Sequence, residues 1–278
     1  MRFDTKTIPA LLLGMVLACS TCGLATADTL FTTEIVANNF LSIDSETGLT
    51  TVIGPLGFGT VSGLSFQPGT GVLYGVATTE DQLITIDPLT GAGTAAGAGT
   101  LGAGTNSLTD IAFAPDGTLY GYDPIPAALV TIDLITGLST PVVPNPPFVL
   151  ININGLAFSP DGTLFATDSS ADLLYTVDLV TGALTEIGVL NVNGQNFDGV
   201  AGIAFAPDGT LFGVSFAARN LVTIDTTTAD VTVIGGDGAT MFSLAFEAGD
   251  SVAIPAPGAL ALAVPMFGLL FRRKTSTA

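Results

Sequence analysis

Residues 113–121 read FAPDGTLYG, and nearly the same words return as FSPDGTLFA at 158–166 and FAPDGTLFG at 205–213. A second phrase alternates with them, as in LVTIDLITGLST from Leu129, and five copies of it carry the aspartates Asp44, Asp87, Asp133, Asp178 and Asp225. These aspartates are 43, 46, 45 and 47 residues apart. Five repeats with a period between 40 and 50 residues predict stacked supersecondary units, here propeller blades of four strands each.

The local chemistry of each repeat favours strands joined by tight turns. TLYGYD and LVTID alternate apolar and polar residues and are rich in β-branched and aromatic side chains. Pro115-Asp116-Gly117 suits a hairpin, because proline presets φ and glycine accepts positive φ. The aspartate and glycine of the phrase ID-x-x-TG predict a second turn. The fifth copy has Ala229 in place of that glycine, so its turn is expected to differ or to be strained.

The two ends of the repeat array predict how the ring closes. The first strand-like segment, from Thr29, lacks the strand that precedes it in the other copies, and the last, from Phe242, lacks the strand that follows. Strand 242–247 should therefore pair with strand 29–36 and leave no open edge in the ring. We predict an all-β, five-bladed β-propeller over residues 28–250, with a signal peptide at 1–27 and a sorting segment at 251–278.

Composition excludes several functions. The chain has no His and no Trp, which removes histidine bases, histidine metal ligands and the Trp-Asp signature of WD40 repeats. Between residues 28 and 250, Arg219 stands alone against 23 of the 24 carboxylates, which leaves a net charge of −22. Nucleic acid is excluded as a partner, because phosphate binding needs clustered basic residues. A soluble, self-repelling secreted surface is the simplest interpretation.

The N-terminus has the features of a secretory signal. Arg2 and Lys6 precede the apolar stretch IPALLLGMVLA, and Ala25-Thr26-Ala27 is a cleavage site before Asp28. The only cysteines, Cys19 and Cys22, lie in the segment to be removed, so the mature domain would have no disulfide. The alternative is a lipoprotein, since VLAC at 16–19 resembles a lipobox that would lipidate Cys19.

The C-terminus combines a Pro-x-Pro, a short apolar stretch and a basic end. Residues 258–271 would span about 21 Å as a helix, short of the ~30 Å core of a bilayer. Pro255, Pro257, Arg272, Arg273 and Lys274 frame this stretch, which resembles the PEP-CTERM sorting signal of exosortase-bearing Gram-negative bacteria, although Ala256 replaces the usual Glu. The resemblance implies an exosortase-type membrane protease as a partner, and delivery to the cell surface or extracellular matrix. It also implies that the C-terminus is anchored in the inner membrane, either transiently or permanently. The alternative is an ordinary membrane anchor. The repeats also resemble uncharacterised propeller repeats of secreted bacterial proteins.

Candidate catalytic groups are few. An aspartate that recurs once per blade indicates a turn former, which applies to the five aspartates above and to Asp116, Asp161 and Asp208 of Pro-Asp-Gly. At the channel mouth, Asp110, Asn154 and Asp198 could converge on a divalent cation such as calcium, as a lactonase-type propeller requires; small residues that pack round the axis are the simpler interpretation. At the strand ends, Glu34, Asp123 and Asp168 could form an acidic ring, or simply open turns.

These observations favour a non-enzymatic binding or structural module without a cofactor, and they predict no catalytic, cofactor or metal residues. Matrix polysaccharide or a surface protein is the expected partner, held by the dissimilar loops between blades. Two alternatives remain, a secreted metal-dependent hydrolase or lyase of the propeller lactonase type, and a periplasmic lipoprotein scaffold.

Overall fold

The computed structural model describes residues 29–97, 101, 108–125, 127–142 and 152–247. These residues form strands and turns, and no helix able to cross a membrane occurs among them. The strands are β1 (Thr29–Glu34), β2 (Asn39–Asp44), β3 (Thr50–Pro55), β4 (Val61–Phe66), β5 (Leu73–Ala77), β6 (Gln82–Ile86), β7 (Gly93–Ala95), β8 (Asp110–Phe113), β9 (Leu119–Asp123), β10 (Ala128–Ile132), β11 (Ser139–Pro141), β12 (Ile153–Phe158), β13 (Leu164–Asp168), β14 (Leu173–Val177), β15 (Leu184–Val189), β16 (Asn191–Val192), β17 (Gln195–Asn196), β18 (Val200–Phe205), β19 (Leu211–Ser215), β20 (Leu221–Ile224), β21 (Val231–Gly235) and β22 (Ala245–Glu247).

Twenty of these strands form five antiparallel four-stranded sheets, which confirms the predicted five-bladed propeller. Blade 1 is β22-β1-β2-β3, and blades 2 to 5 are β4-β5-β6-β7, β8-β9-β10-β11, β12-β13-β14-β15 and β18-β19-β20-β21, from the axis outward. The remaining strands, β16 and β17, form a short ribbon between blades 4 and 5.

The ring closes where the two ends of the domain meet, as predicted. In blade 1, β22 pairs with β1 from Thr29↔Glu247 to Phe31↔Ala245, and a single bridge joins Glu34 to Met241. Regular pairing is shorter than the predicted 242–247. The Phe242 N–H instead donates to the Thr33 carbonyl (3.2 Å), and the Thr32 hydroxyl donates to the Ser243 carbonyl (2.6 Å).

Both kinds of predicted turn are present. The glycines of the Pro-Asp-Gly hairpins, Gly117, Gly162 and Gly209, have φ of 88°, 88° and 90°. In the Thr-Gly turns the aspartate accepts backbone N–H groups, as Asp133 does from Ile135 (2.9 Å) and Thr136 (2.8 Å). Ala229 keeps the same turn as its glycine counterparts and adopts a φ of 62°, so this turn is strained rather than different.

The repeated segments supply the aromatic side chains that pack between neighbouring blades. The second strand of each blade presents a Phe or Tyr, and its ring packs on the Phe that ends the first strand of the next blade. The pairs are Phe31–Phe66, Tyr74–Phe113, Tyr120–Phe158, Phe165–Phe205 and Phe212–Phe246, with ring centroids 5.2 to 6.1 Å apart. This aromatic ladder runs through all five seams of the ring. Each copy of FAPDGTLYG supplies one ring to the contact with the preceding blade and one ring to the contact with the next blade.

Hydroxyl groups also join neighbouring blades near the axis. At four seams, a Ser or Thr hydroxyl of one blade donates a hydrogen bond to a backbone carbonyl of the next blade. That carbonyl lies three residues before the Leu or Ile of the first strand. The pairs are Thr33 to Val61 (2.8 Å), Ser62 to Leu108 (2.7 Å), Thr109 to Ile153 (2.5 Å) and Thr167 to Val200 (3.4 Å). Because these groups are buried or nearly so, the bonds satisfy polar atoms that water does not reach.

A third contact lies farther from the axis. In blades 1, 4 and 5 a glycine near the end of the fourth strand lies against the turn between the third and fourth strands of the next blade. A Cβ at Gly54 would overlap the Thr90 carbonyl oxygen, whereas one at Gly188 would stand 3.1 Å from the Thr228 oxygen. At Gly54 and Gly235 the turn of the next blade leaves no space for a side chain, which requires glycine there.

Candidate functional site

The propeller has two unlike faces. We call the face with the Pro-Asp-Gly and Thr-Gly turns the turn face, and the face with the connections between blades and between second and third strands the loop face. Thr29 pairs with both Asp44 and Glu247, which places the beginning and the end of the described domain side by side on the turn face.

Asp110 lies on the axis and is 1% exposed. The N–H groups of Ile111 (2.8 Å) and Leu156 (2.7 Å) donate to its two carboxylate oxygens, and the Leu64 N–H also donates to it. The donors belong to blades 3, 4 and 2. Burial raises the pKa of Asp110 well above its usual value, and the three N–H groups oppose that rise. The carboxylate therefore joins three blades, and its oxygens face backbone donors.

The three residues proposed for a cation each interact with other groups of the protein. Asn154 accepts a hydrogen bond from the Ser169 hydroxyl (3.1 Å), and the Asp198 carboxylate lies beside Asp172. The positions equivalent to Asp110 in other blades are small, and a Cβ at Gly202 would come within 2.9 Å of the Ser243–Leu244 backbone. Among the described residues no group of three or more His, Cys, Asp or Glu side chains could hold an ion. These observations favour the interpretation of small residues packed round the axis.

The carboxylates at the second-strand ends open turns. Asp123 is 3% exposed and accepts the Ile125 N–H (2.8 Å), while Asp168 is 8% exposed and accepts the N–H groups of Ser170 (2.8 Å) and Ala171 (3.0 Å). Glu34 forms the bridge to Met241. The predicted alternative of a turn role is thus observed for Asp123 and Asp168.

An acidic cluster on the loop face was not predicted. Asp172 accepts a hydrogen bond from the Gly199 N–H (3.1 Å). Burial raises the pKa of Asp172, and the negative charges of Asp198 and Asp168 raise it further. The cluster adds to the negative potential of this face, between blades 4 and 5.

The aspartates of the repeated turns stay ionised. Hydrogen bonds from nearby threonine N–H and hydroxyl groups lower the pKa of Asp44, Asp133 and Asp178, and the Thr227 N–H is the main donor that lowers the pKa of Asp225. This confirms their role as turn formers, and the same holds for Asp116 and Asp208, whose main donor is the N–H two residues on.

A cavity that opens on the turn face was not predicted. Its volume is about 660 Å³, and we call it the funnel. Its wall carries the five phenylalanines that end the first strands, Phe66, Phe113, Phe158, Phe205 and Phe246, together with prolines of the turns. A cavity of about 330 Å³, flanked by Asp161 and Asp208, shares the wall residues Pro160 and Pro207. The signal in the sequence is the Phe that precedes each Pro-Asp-Gly turn, because it lies at the end of the first strand of its blade.

Several predicted segments lie outside the described residues. These are the signal peptide with Cys19, Ala25 and Ala27, and the sorting segment with Pro255, Pro257, Arg272, Arg273 and Lys274. Most of the loop from Pro141 also lies outside. By contrast, the loop from Leu190 forms the β16–β17 ribbon and buries Phe197.

The fold is similar to solved propeller structures. A chain of a nidogen/laminin complex matches with a TM-score of 0.56 and 10% identity, over 79% of this chain and 98% of that chain. A gluconolactonase of Xanthomonas campestris matches with a TM-score of 0.50 and 16% identity, over 77% of this chain and 74% of that chain. Regucalcin, a calcium-binding protein of Agrobacterium tumefaciens, matches with a TM-score of 0.50 and 17% identity, over 79% of this chain and 74% of that chain. At these identities the likeness shows the fold alone.

No protein-family model matches the sequence, and no curated protein matches it as a relative. The class of protein is therefore defined by its architecture, a five-bladed β-propeller of four-stranded blades closed by its C-terminal strand.

Proposed function

We propose that this propeller is exported, sorted by its C-terminal signal to the cell surface or extracellular matrix, and binds a partner there with its loop face without catalysing a reaction. The observation that carries the proposal is the position of Thr29 and Glu247, which are paired on the turn face. A tail attached at Glu247 leaves from the turn face, so the dissimilar loops of the opposite face stay free to contact a partner.

The environment of the candidate carboxylates supports a binding role. Asp110, Asp123 and Asp168 are at most 8% exposed and accept backbone N–H groups, so their oxygens hold the fold in place. A general acid or base has to reach substrate within hydrogen-bonding distance, and these groups point into the protein.

The charge of the domain restricts which chemical classes of partner it can bind. The surface is strongly acidic, and the loop face adds the cluster of Asp168, Asp172 and Asp198. Like charges lower association rates and affinity, so an anionic partner is disfavoured. A neutral, polyhydroxylated matrix polysaccharide or a surface protein with a cationic patch fits this face.

Intact mass of the protein recovered from cell surface, matrix and inner membrane tests the sorting step. We expect a surface or matrix species that begins at Asp28 and ends before Arg272. As a matched control, the variant with Arg272, Arg273 and Lys274 changed to Gln should lose processing at the tail only. Recovery of only full-length protein ending at Ala278 in the inner membrane would contradict sorting. A species beginning at lipidated Cys19 would support the lipoprotein scaffold instead.

A loop replacement tests the binding face. Residues 143–151 are replaced by a short Gly-Ser linker, and retention of the purified protein on the producing strain's matrix is measured. We expect retention to fall, whereas Leu89→Ser on the turn face, where Leu89 is 87% exposed, should leave it unchanged. The opposite pattern would show that the wrong face was chosen.

A metal-dependent hydrolase or lyase is the competing function, and the fold shared with gluconolactonase and regucalcin supports it about as well. Metal analysis of the full chain after dialysis against calcium separates the two. One tightly bound ion per chain, lost in Asp198→Asn or Asn154→Ala, would favour the enzyme. Under the proposed binding function we expect no stoichiometric ion.

A further inference from the structure

The funnel on the turn face has no role in the proposed function. Its volume of about 660 Å³ is within the range of ligand-binding cavities, and aromatic rings and prolines dominate its wall. Apart from Glu247, none of the residues on that wall is charged. The chemistry of the wall therefore suits an uncharged, apolar occupant.

The position of the last strand points to that occupant. β22 is the innermost strand of blade 1, and it runs toward the turn face. Phe246 and Glu247, at its end, form part of the funnel wall. The described part of the chain therefore ends on the funnel wall, at Glu247.

The segment that follows has the composition that such a wall binds. Residues 251–257 read SVAIPAP and carry no charge. Segments with closely spaced prolines adopt an extended polyproline conformation at low entropic cost and dock on aromatic-lined grooves. The segment Glu247–Pro257 can reach about 30 Å at ~3.1 Å per residue, and the tether keeps its effective concentration in the millimolar range or above.

We propose that residues 251–257 dock in the funnel, with Pro255 and Pro257 against the ring of phenylalanines. The docked segment covers the aromatic wall while the tail is attached. It also holds the Pro-x-Pro motif against the folded domain, so that any enzyme or partner that reads this motif must first draw it out. The inference does not require the tail to be a sorting signal, and it stands if sorting fails its own test.

Disulfide trapping tests the docking. In the full chain, Cys19→Ser and Cys22→Ser remove the native cysteines. Ala256→Cys is then combined with Thr70→Cys, an exposed residue on the funnel wall, or with the control Leu89→Cys, which lies on the same face and blade but outside the funnel. A disulfide requires the two Cα atoms to approach within about 7 Å, so its rate of formation in a glutathione buffer reports proximity. Pro160→Cys, across the funnel, replaces Thr70→Cys if that variant does not fold.

Tethering alone brings the tail near the funnel, so a second comparison separates docking from proximity. Pro255→Ser with Pro257→Ser keeps the tether length and removes both prolines. We expect trapping at Thr70→Cys to be at least about tenfold faster than at Leu89→Cys, and to fall to the control rate in the serine variant. Equal rates at the two positions, or a rate that the serine variant does not change, would overturn the proposal.

Discussion

Asp110 is the residue with the most unusual environment in the ring. Its carboxylate is buried on the axis and bonded to N–H groups of three blades. Burial disfavours its charged form and raises its pKa, whereas the aspartates of the exposed turns have lowered pKa values. The two groups therefore affect stability in opposite directions as pH changes.

We expect Asp110→Asn to change the pH dependence of stability. Since the folded pKa is raised, the folded state keeps the Asp110 proton above the unfolded value of about 3.9. The stability from this proton is fully present below that value and is lost as pH rises through the folded pKa. Urea unfolding of both proteins across pH 4 to 9 measures it. The variant should lose less stability than the wild type as pH rises, and parallel curves would contradict the expectation.

Two equivalent glycines provide a matched test of the outer contact between blades. Gly54→Ala places its methyl group on the Thr90 carbonyl oxygen, whereas Gly188→Ala leaves 3.1 Å to the Thr228 oxygen. We expect Gly54→Ala to lower the free energy of unfolding by about 2–3 kcal/mol and Gly188→Ala by about 1 kcal/mol or less. Chemical denaturation measures both, and equal losses would mean that the neighbouring turn yields at either site.

At the scale of the strand, β22 is the element on which closure depends. Its three residues pair with β1, and Met241 and Leu244 are buried in the core beside it. Deleting residues 240–250 exposes the edge of β1 and this part of the core, so the domain should unfold cooperatively at room temperature. Deleting 254–278 keeps the ring closed and removes only the docked prolines, so the domain should stay folded with a slightly lower melting temperature. Similar melting curves for the two truncations, followed by circular dichroism, would contradict closure by β22.

Blades and closure could be predicted because each copy of the repeat carries its own turn chemistry and strand pattern. Pro115-Asp116-Gly117 encodes a hairpin by itself, and the unmatched segments at Thr29 and Phe242 encode the missing partner. Contacts between copies could not be predicted in the same way. The Phe31–Phe66 pair and the Thr33–Val61 bond depend on how one blade is rotated against the next, which no single copy specifies.

The funnel and the acidic cluster were missed for the same reason. Phe66 and Phe205 are far apart in sequence and meet only because the first strands converge on the axis. Asp172 and Asp198 come from different connections and are brought together by the ribbon of β16 and β17. By contrast, the turn role of Asp133 is local and could be predicted from three neighbouring residues.

At the scale of the whole molecule, the ring should unfold as one unit, since the aromatic ladder runs through every seam. All four tyrosines lie in blades 2 to 4, so tyrosine fluorescence follows those blades, whereas circular dichroism follows all five. Phe212→Leu weakens the seam between blades 5 and 1, where Phe212 stacks on Phe246. We expect both signals to shift together by several degrees, as for a two-state domain. Separate midpoints would mean that the blades unfold independently.

The split of blade 1 between the two ends of the chain also determines when the protein can finish folding. Blades 2 to 5 are complete before residue 240 has been synthesised, but β1 waits with an unpaired edge until β22 arrives. If the chain is exported from its N-terminus, as proposed above, that wait lasts through nearly the whole of translocation. During it, the last strand of a neighbouring molecule can fill the same edge, so crowding at the exit site favours exchanged dimers in which each molecule closes the other's ring.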